Sequence, residues 1–258
     1  MDREFVKCEY DEPLATVVLD RPEVLNAYNE QLLDELYDTL EEVFANEEVE
    51  AVVMTGSGDR AFSVGGDIDY LEKLNSRQAE ELSLKGHKIC DLIEHSTQVV
   101  IAAVDGYALG GGMELTLACD MRIATTRARF GQPEVKLGVI PGFGSTQRLP
   151  RLIGVAEAKE MLFTGNIVDA TLAYELGLIN KVVTPRTLIP SAREMALEIT
   201  DRSARAVSMI KKAISHSYID GPEAGSRYET EAFSICFDTQ EHRERIKKIK
   251  DIIKHDNN

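Results

Sequence analysis

Apolar residues fall along the chain in two rhythms. Leu14-Ala-Thr-Val-Val-Leu19, Ala51-Val-Val-Met-Thr55, Val99-Val-Ile-Ala-Ala-Val104, Met121-Arg-Ile-Ala-Thr125 and Leu178-Ile-Asn-Lys-Val-Val183 are short apolar runs bounded by turn formers. They predict buried strands. Between them the period lengthens to that of a helix. Leu32, Leu33, Leu36, Leu40, Val43 and Phe44 recur on one face after Asn29, a candidate cap. The opposite face carries Glu30, Asp34, Glu35, Asp38, Glu41 and Glu42 and reads as solvated. A long helical stretch runs from about Tyr70 to His95, with a break near Asn75-Ser76. Short helices are predicted around 145–152, 155–163 and 169–176. Strands alternating with helices indicate an α/β fold. The recurring order of strand, glycine turn and helix suggests a coiled repeat rather than one flat sheet. Beyond Pro185 and Pro190 the pattern is helical throughout. The chain therefore divides into a core over 1–190 and a helical appendage over 191–258. Such an appendage covers the core or packs on another subunit.

Two glycine turns, Gly65-Gly66 and Gly110-Gly111-Gly112, each follow a strand-like run. The second opens an apolar helix with Glu114 in its first turn. Backbone N–H groups point outward at such a positive helix end. Two of them converging on one point make an oxyanion hole, although each Gly-Gly also reads as a plain tight turn. Neither turn fits GxGxxG, so a dinucleotide site is not supported. Glu114 complements the helix dipole or acts on a substrate held at the turn. Glu134, in the loop segment Phe130-Gly-Gln-Pro-Glu134, is a second candidate acid or base. Two nearby carboxylates would hold a water between them, and repulsion and burial would raise the pKa of at least one. Spacing alone leaves a surface role open for both, in a chain with 44 acidic residues.

Composition narrows the classes. The chain has 258 residues, and its formal net charge of -15 argues against nucleic acid as a partner. It leaves room for a small anionic ligand at a local site. Cys8, Cys90, Cys119 and Cys236 are scattered without a CxxC pair, which predicts free thiols in a reducing compartment. Cys119 lies among apolar neighbours and reads as core rather than nucleophile. The five histidines lack metal-ligand spacing, so no metal is expected. There is no GxSxG elbow. No apolar run reaches the ~18 residues of a membrane span, and Met1-Asp-Arg-Glu-Phe5 lacks an apolar signal core. A cytoplasmic protein without a membrane partner is the expectation. The segment from Glu241 carries Arg243, Arg245, Lys247, Lys248, Lys250 and Lys254. It reads as a solvated amphipathic helix, with a phosphate-binding edge as the sharper alternative.

Five ordered motifs resemble those of the crotonase, or enoyl-CoA hydratase/isomerase, family. They are Arg21-Pro-Glu-Val-Leu-Asn-Ala27, Ala61-Phe-Ser-Val-Gly-Gly-Asp-Ile68, Gly106-Tyr-Ala-Leu-Gly-Gly-Gly-Met-Glu-Leu115, Phe130-Gly-Gln-Pro-Glu134 and Pro141-Gly-Phe-Gly-Ser-Thr-Gln-Arg-Leu149. The resemblance covers nearly the whole chain. It implies a crotonase-like spiral of ββα units with a helical C-terminal trimerisation region, and a homotrimer or dimer of trimers. It places an oxyanion hole on the N–H groups of Gly66 and Gly111, to hold the thioester oxygen of an acyl-CoA. Val64, Gly66, Asp67 and Ile68 match a segment bordering the CoA adenine and thioester, and Leu25 a position near the pantetheine path.

Both glutamates of the hydratase pattern are present, as Glu114 and Glu134. By resemblance Glu114 deprotonates the water and Glu134 protonates the α-carbon. The implied activity is a short-chain 2-enoyl-CoA hydratase, run in reverse as a 3-hydroxyacyl-CoA dehydratase. It needs no cofactor, because coenzyme A is part of the substrate. An enoyl-CoA isomerase using one glutamate and a non-catalytic binding protein are the alternatives. Ser145 replaces the more usual glycine, a departure that leaves the resemblance intact, and Tyr28 stands where a smaller or aliphatic residue is common. The C-terminal segment Glu241-His-Arg-Glu-Arg-Ile-Lys-Lys-Ile-Lys250 departs from the family's usual ending, so CoA contacts are not carried over onto it.

Overall fold

The computed structural model describes residues 3–256. Two sheets carry the core. The larger has six strands, ordered β1 (Val6–Asp11), β2 (Leu14–Leu19), β3 (Ala51–Gly56), β5 (Val99–Val104), β7 (Met121–Thr125) and β10 (Lys181–Val183). The smaller is ordered β4 (Ala61–Ser63), β6 (Tyr107–Leu109), β8 (Arg129–Gly131) and β9 (Ile167–Asp169). The edge pairs β1–β2 and β8–β9 are antiparallel and the other pairs are parallel.

The order of strands explains the coiled repeat that the pattern predicts. Each of β3, β5 and β7 is followed within a few residues by β4, β6 and β8 respectively. The chain lays one strand in the large sheet, one in the small sheet, and then, after the first two pairs, a helix. All six residues of β5 and five of the six in β3 are buried. A parallel sheet covered on both faces demands such continuous apolar runs.

The helices follow the predicted faces. α1 (Glu30–Ala45) is capped by Asn29, whose side chain accepts from the Leu32 N–H at 2.8 Å. It buries Leu32, Leu33, Leu36, Leu40 and Val43. The acidic face is less idle than a solvated one, since Glu35 accepts the N–H groups of Phe5 and Val6. The break near Asn75 separates α2 (Ile68–Leu71) from α3 (Ser76–His95), where Asn75 and Gln78 form a capping box. α4 (Gly111–Ala118), α5 (Ser145–Ile153), α6 (Val155–Thr164) and α7 (Ala170–Glu175) complete the first unit together with most of α8 (Leu188–Thr200).

The glycine turn is shorter than the sequence suggests. A strand, β6, separates β5 from it, and the helix already begins at Gly111. Gly110 alone of the three has a positive φ, +51°. The strand read over 178–183 is confined to Lys181–Val183, with Leu178 and Ile179 buried ahead of it.

A second compact unit begins at Ile199. It contains α9 (Ala204–Asp220), α10 (Pro222–Phe237) and α11 (Gln240–Asp256). The helical reading of this region holds, and the basic residues from Arg243 to Lys250 lie in α11. Among the described residues no helix is long and apolar enough to cross a membrane.

Candidate active site

The first wall is built by the bend after Arg21. Pro22–Val24 form one 3₁₀ turn, and Leu25 and Asn26 then adopt left-handed backbone conformations, φ 58° and 55°. The bend turns the Asn26 side chain inward, where it is fully buried. Its carbonyl oxygen accepts from the Arg21 N–H at 2.9 Å, and its amide donates to the carbonyls of Ser57 and Ala61 at 3.0 and 2.9 Å. The Ser63 hydroxyl donates to the Asn26 carbonyl at 2.7 Å and accepts from the Gly65 N–H at 3.1 Å. Asn26 thus ties the bend to β4 and to the first glycine turn.

Gly66 pairs with Tyr28 as an isolated parallel bridge. The Tyr28 N–H donates to the Gly65 carbonyl at 2.7 Å, and the Asp67 N–H to the Tyr28 carbonyl at 2.9 Å. These bonds straddle Gly66. Alternation along an extended backbone therefore aims the Gly66 N–H to the other side. Arg21 steadies the same turn through Asp67, with Nη1 3.0 Å from Oδ2.

The second wall is the start of α4. Gly111 is its first helical residue, so its N–H belongs to the unsatisfied donors of the helix end. The two turns touch. A Cβ at Gly65 would lie 2.8 Å from the Gly111 nitrogen, and Gly65 itself has φ +84°. Glycine is needed there on both counts.

Glu114 sits one turn into α4 and is 2% exposed. Its Oε1 accepts the N–H groups of Phe143 and Ser145, both at 2.8 Å. Burial raises its pKa, and the N–H donors of Ser145, Phe143 and Gly142 pull against that, with His87 adding to them. The loop carrying these donors is itself clamped. Arg148 donates to the Phe143 carbonyl at 2.7 Å and holds Glu94 through Nε and Nη2, at 2.9 and 2.6 Å.

Glu134 enters from a 3₁₀ turn, Pro133–Leu137. Its carboxylate lies against Gly110, where a Cβ would come 3.0 Å from Oε1. Burial, and after it the charge of Glu114, push its pKa up to about 7. The pair of carboxylates is thus electrostatically coupled across the two turns. Gln132 is buried beside them. Its amide is assigned with Nε2 toward Glu134, since the reverse orientation faces oxygen with oxygen. Nε2 then donates to both Glu134 oxygens, at 2.9 and 3.0 Å, and Oε1 accepts from the Ser145 hydroxyl at 2.6 Å.

Aromatic rings close one side. Tyr28 and Phe143 stack with centroids 6.4 Å apart and planes 5° apart. Both rings lie 3.3 Å from where a Cβ of Gly111 would be. A Cβ at Gly86 on α3 would overlap the Phe143 ring.

Two aimed N–H groups, two coupled carboxylates and an aromatic wall suit reactions that develop charge on a carbonyl oxygen while protons move. Comparison with known proteins gives that chemistry a family. The family model Enoyl-CoA hydratase/isomerase matches residues 9–253. The chain belongs to the enoyl-CoA hydratase/isomerase family. It is similar to a crotonyl-CoA hydratase of Syntrophomonas wolfei, 42% identical over 95% of this chain and 94% of that one. A short-chain-enoyl-CoA hydratase of Clostridium acetobutylicum is 40% identical, again over 95% and 94%. The solved structure of an enoyl-CoA hydratase from Bacillus anthracis matches with a TM-score of 0.93 at 35% identity, over 96% of both chains.

In this member of the family, the structure brings Gly66, Gly111, Glu114 and Glu134 to one place. Leu25 and Val64 are half-buried beside it, joined by the Val64 N–H donating to the Leu25 carbonyl at 3.2 Å. Asp67 is half-buried at the start of α2, and Ile68 is exposed next to it. Cys119 is buried in the core. Among the described residues no group of three or more His, Cys, Asp and Glu side chains could hold a metal. Asn26, Gln132, Ser145 and Arg148 shape the site without having been singled out for it. All four lie inside quoted motifs, and a polar side chain within a motif is the signal that marks them.

Proposed function

We propose that the protein is a short-chain enoyl-CoA hydratase, a hydro-lyase that adds water across the 2,3-double bond of a crotonyl-CoA-like thioester. The observation that carries this reading is the coupled pair Glu114 and Glu134 flanking the two glycine turns. In the proposed reaction the N–H groups of Gly66 and Gly111 hold the thioester oxygen. Charge grows on that oxygen as the nucleophile reaches C3, and two preorganised donors stabilise it. The Phe143 and Ser145 N–H groups both fall on Oε1, and in the proposed reaction Oε2 takes a proton from water. The water oxygen bonds to C3. The electron pair of the double bond passes to C2 and the thioester, and Glu134 delivers its proton to C2. A pKa of about 7 suits a group that must hold and release a proton near neutrality. Transfer of the proton from Glu114 back to Glu134 through solvent resets the pair.

The reaction so drawn calls on no group beyond these residues and the CoA thioester. The stacked rings of Tyr28 and Phe143 limit the room beside Gly111 and favour a short acyl chain. Leu25, Val64, Asp67 and Ile68 border the approach as the CoA-binding segment. Free Cys8, Cys90, Cys119 and Cys236 fit a reducing compartment such as the cytoplasm.

The helical region over 191–258 is read as the oligomerisation element, forming a homotrimer or a dimer of trimers. Its support is the apolar surface of α9 and α10. Ile210, Ile214, Tyr218 and Phe233 are more than half exposed, and a groove of about 540 Å³ runs between the two helices.

Loss of the enoyl-thioester ultraviolet absorbance of crotonyl-CoA tests the activity. Wild-type protein is expected to hydrate it, and Glu134→Gln to lose at least ~10²-fold in kcat. Turnover of a 3-enoyl-CoA without hydration of the 2-enoyl-CoA would replace the reading with an isomerase.

A further inference from the structure

Ser145 does more than fill the place of a glycine. It is fully buried at the first position of α5, and its hydroxyl is not spent on capping that helix, whose N-cap is Gly144. Its N–H goes to one acid and its hydroxyl to the amide that holds the other. The N–H holds Glu114 directly at 2.8 Å. The hydroxyl donates to Gln132 Oε1 at 2.6 Å, and Gln132 Nε2 donates to both oxygens of Glu134. One residue therefore bears on both carboxylates, directly on Glu114 through its backbone and indirectly on Glu134 through the Gln132 amide.

An amide is nearly symmetric in shape, so only its partners decide which end faces which way. A carboxylate accepts and does not donate. The end of Gln132 nearest Glu134 must then be the NH₂, provided something donates to the opposite end. Ser145 is that donor. Without its hydroxyl the Gln132 oxygen is left buried and unpaired, at a cost that loosens the preference for this orientation. We infer that Ser145 is a positioning residue, which locks the Gln132 amide with its NH₂ toward Glu134 and thereby fixes the rotamer of that carboxylate for proton delivery. The inference rests on the hydratase reading of the same site.

The groups around Glu134 are few in kind. Glu114 on α4 is the charged group that bears on it, Gly110 presents backbone, and Gln132 is a neutral donor. His87 on α3 acts on Glu114. A donor to a carboxylate favours its ionised form. Removing the Ser145 hydroxyl weakens that donation, so the proton on Glu134 is held to higher pH.

Ser145→Ala deletes the hydroxyl and keeps the N–H to Glu114. Its kcat for crotonyl-CoA hydration is expected to fall roughly tenfold with KM little changed. The alkaline limb of its kcat/KM profile is expected to move to higher pH. Ser145→Thr, which retains a hydroxyl, should restore the wild-type limb. Carboxyl ¹³C NMR of glutamate-labelled protein, with the Glu134 signal assigned from Glu134→Gln, should show the same upward move. A fall in kcat with an unmoved limb and an unmoved Glu134 titration would overturn the inference and reduce Ser145 to packing. A wild-type protein that leaves crotonyl-CoA unhydrated would defeat the functional reading alone, because the carboxyl titration still reads the link from Ser145 to Glu134.

Discussion

Glu114 and Glu134 show how two identical side chains come to sit in different environments. Glu114 is the more deeply buried; burial raises its pKa, and backbone N–H groups from the 142–145 loop pull against that rise. Glu134 has the neutral Gln132 amide as a donor, and burial, with the repulsion of Glu114 after it, raises its pKa to about 7. The pH dependence follows from the proposed roles. Hydration requires protonated Glu134, so its kcat/KM is expected to fall as pH rises above about 7. Dehydration requires the ionised form, and its kcat/KM is expected to fall as pH drops below about 7. Profiles measured in both directions on one preparation check this, and Glu134→Gln should lack both limbs. Stability carries the same sign. A carboxyl with a raised native pKa favours the folded state below its unfolded pKa, and this contribution is lost as pH rises through about 7. At this scale the sequence shows which acids to examine through their motifs. It does not show their difference, because that depends on donors from residues 142 to 145 arriving at Glu114 by tertiary folding.

The elements differ in how legible they are. β2, β3, β5 and β7 declare themselves as apolar runs because both faces are covered. β4, β6, β8 and β9 have three residues each, too few for any period to show. β1 is an edge strand with one fully buried residue, Val6, so its pattern resembles a polar loop. The four short strands build the second sheet and β1 borders the first, and the suggested coiled repeat takes its two-sheet form only once they are placed. Helix α4 is different again, being buried from Gly112 to Ala118 on all sides. Its amphipathic signal is therefore nearly absent, and its position is set by close approach. A Cβ at Gly112 would overlap the backbone carbonyl of Ser63 on β4, which cannot swing away as a side chain can. Gly112→Ala is expected to destabilise the fold by about 1–3 kcal/mol, read as a lower midpoint in urea with an unchanged slope. Activity should fall further than stability alone explains, since the same shift moves Gly111 away from Gly66.

At the scale of the molecule, the acidic balance and the apolar C-terminal helices pull in different directions. The net charge of -15 keeps copies apart over distance, and the exposed apolar side chains of α9 and α10 favour contact once they meet. Light scattering coupled to gel filtration is expected to give three or six times the mass of one chain. The mass should hold at moderate salt, where screening weakens charge repulsion and leaves apolar burial intact. A monomer at micromolar concentration would remove the role assigned to 191–258. The α/β class and the helical C-terminal region are readable from periodicity. The two-sheet spiral is not, because it depends on which strand neighbours which.

Phe143 and Gly86 illustrate a last consequence. The ring on the loop before α5 occupies the volume that any side chain on this part of α3 would claim. Neither position can be enlarged or emptied alone without a clash or a hole. The two sites therefore form a single heritable unit, and a search that changes one residue at a time meets a barrier between this arrangement and its inverse, with the bulk on the helix and the small residue on the loop. A library meant to reshape the wall that Phe143 forms beside Gly111 should vary the pair together.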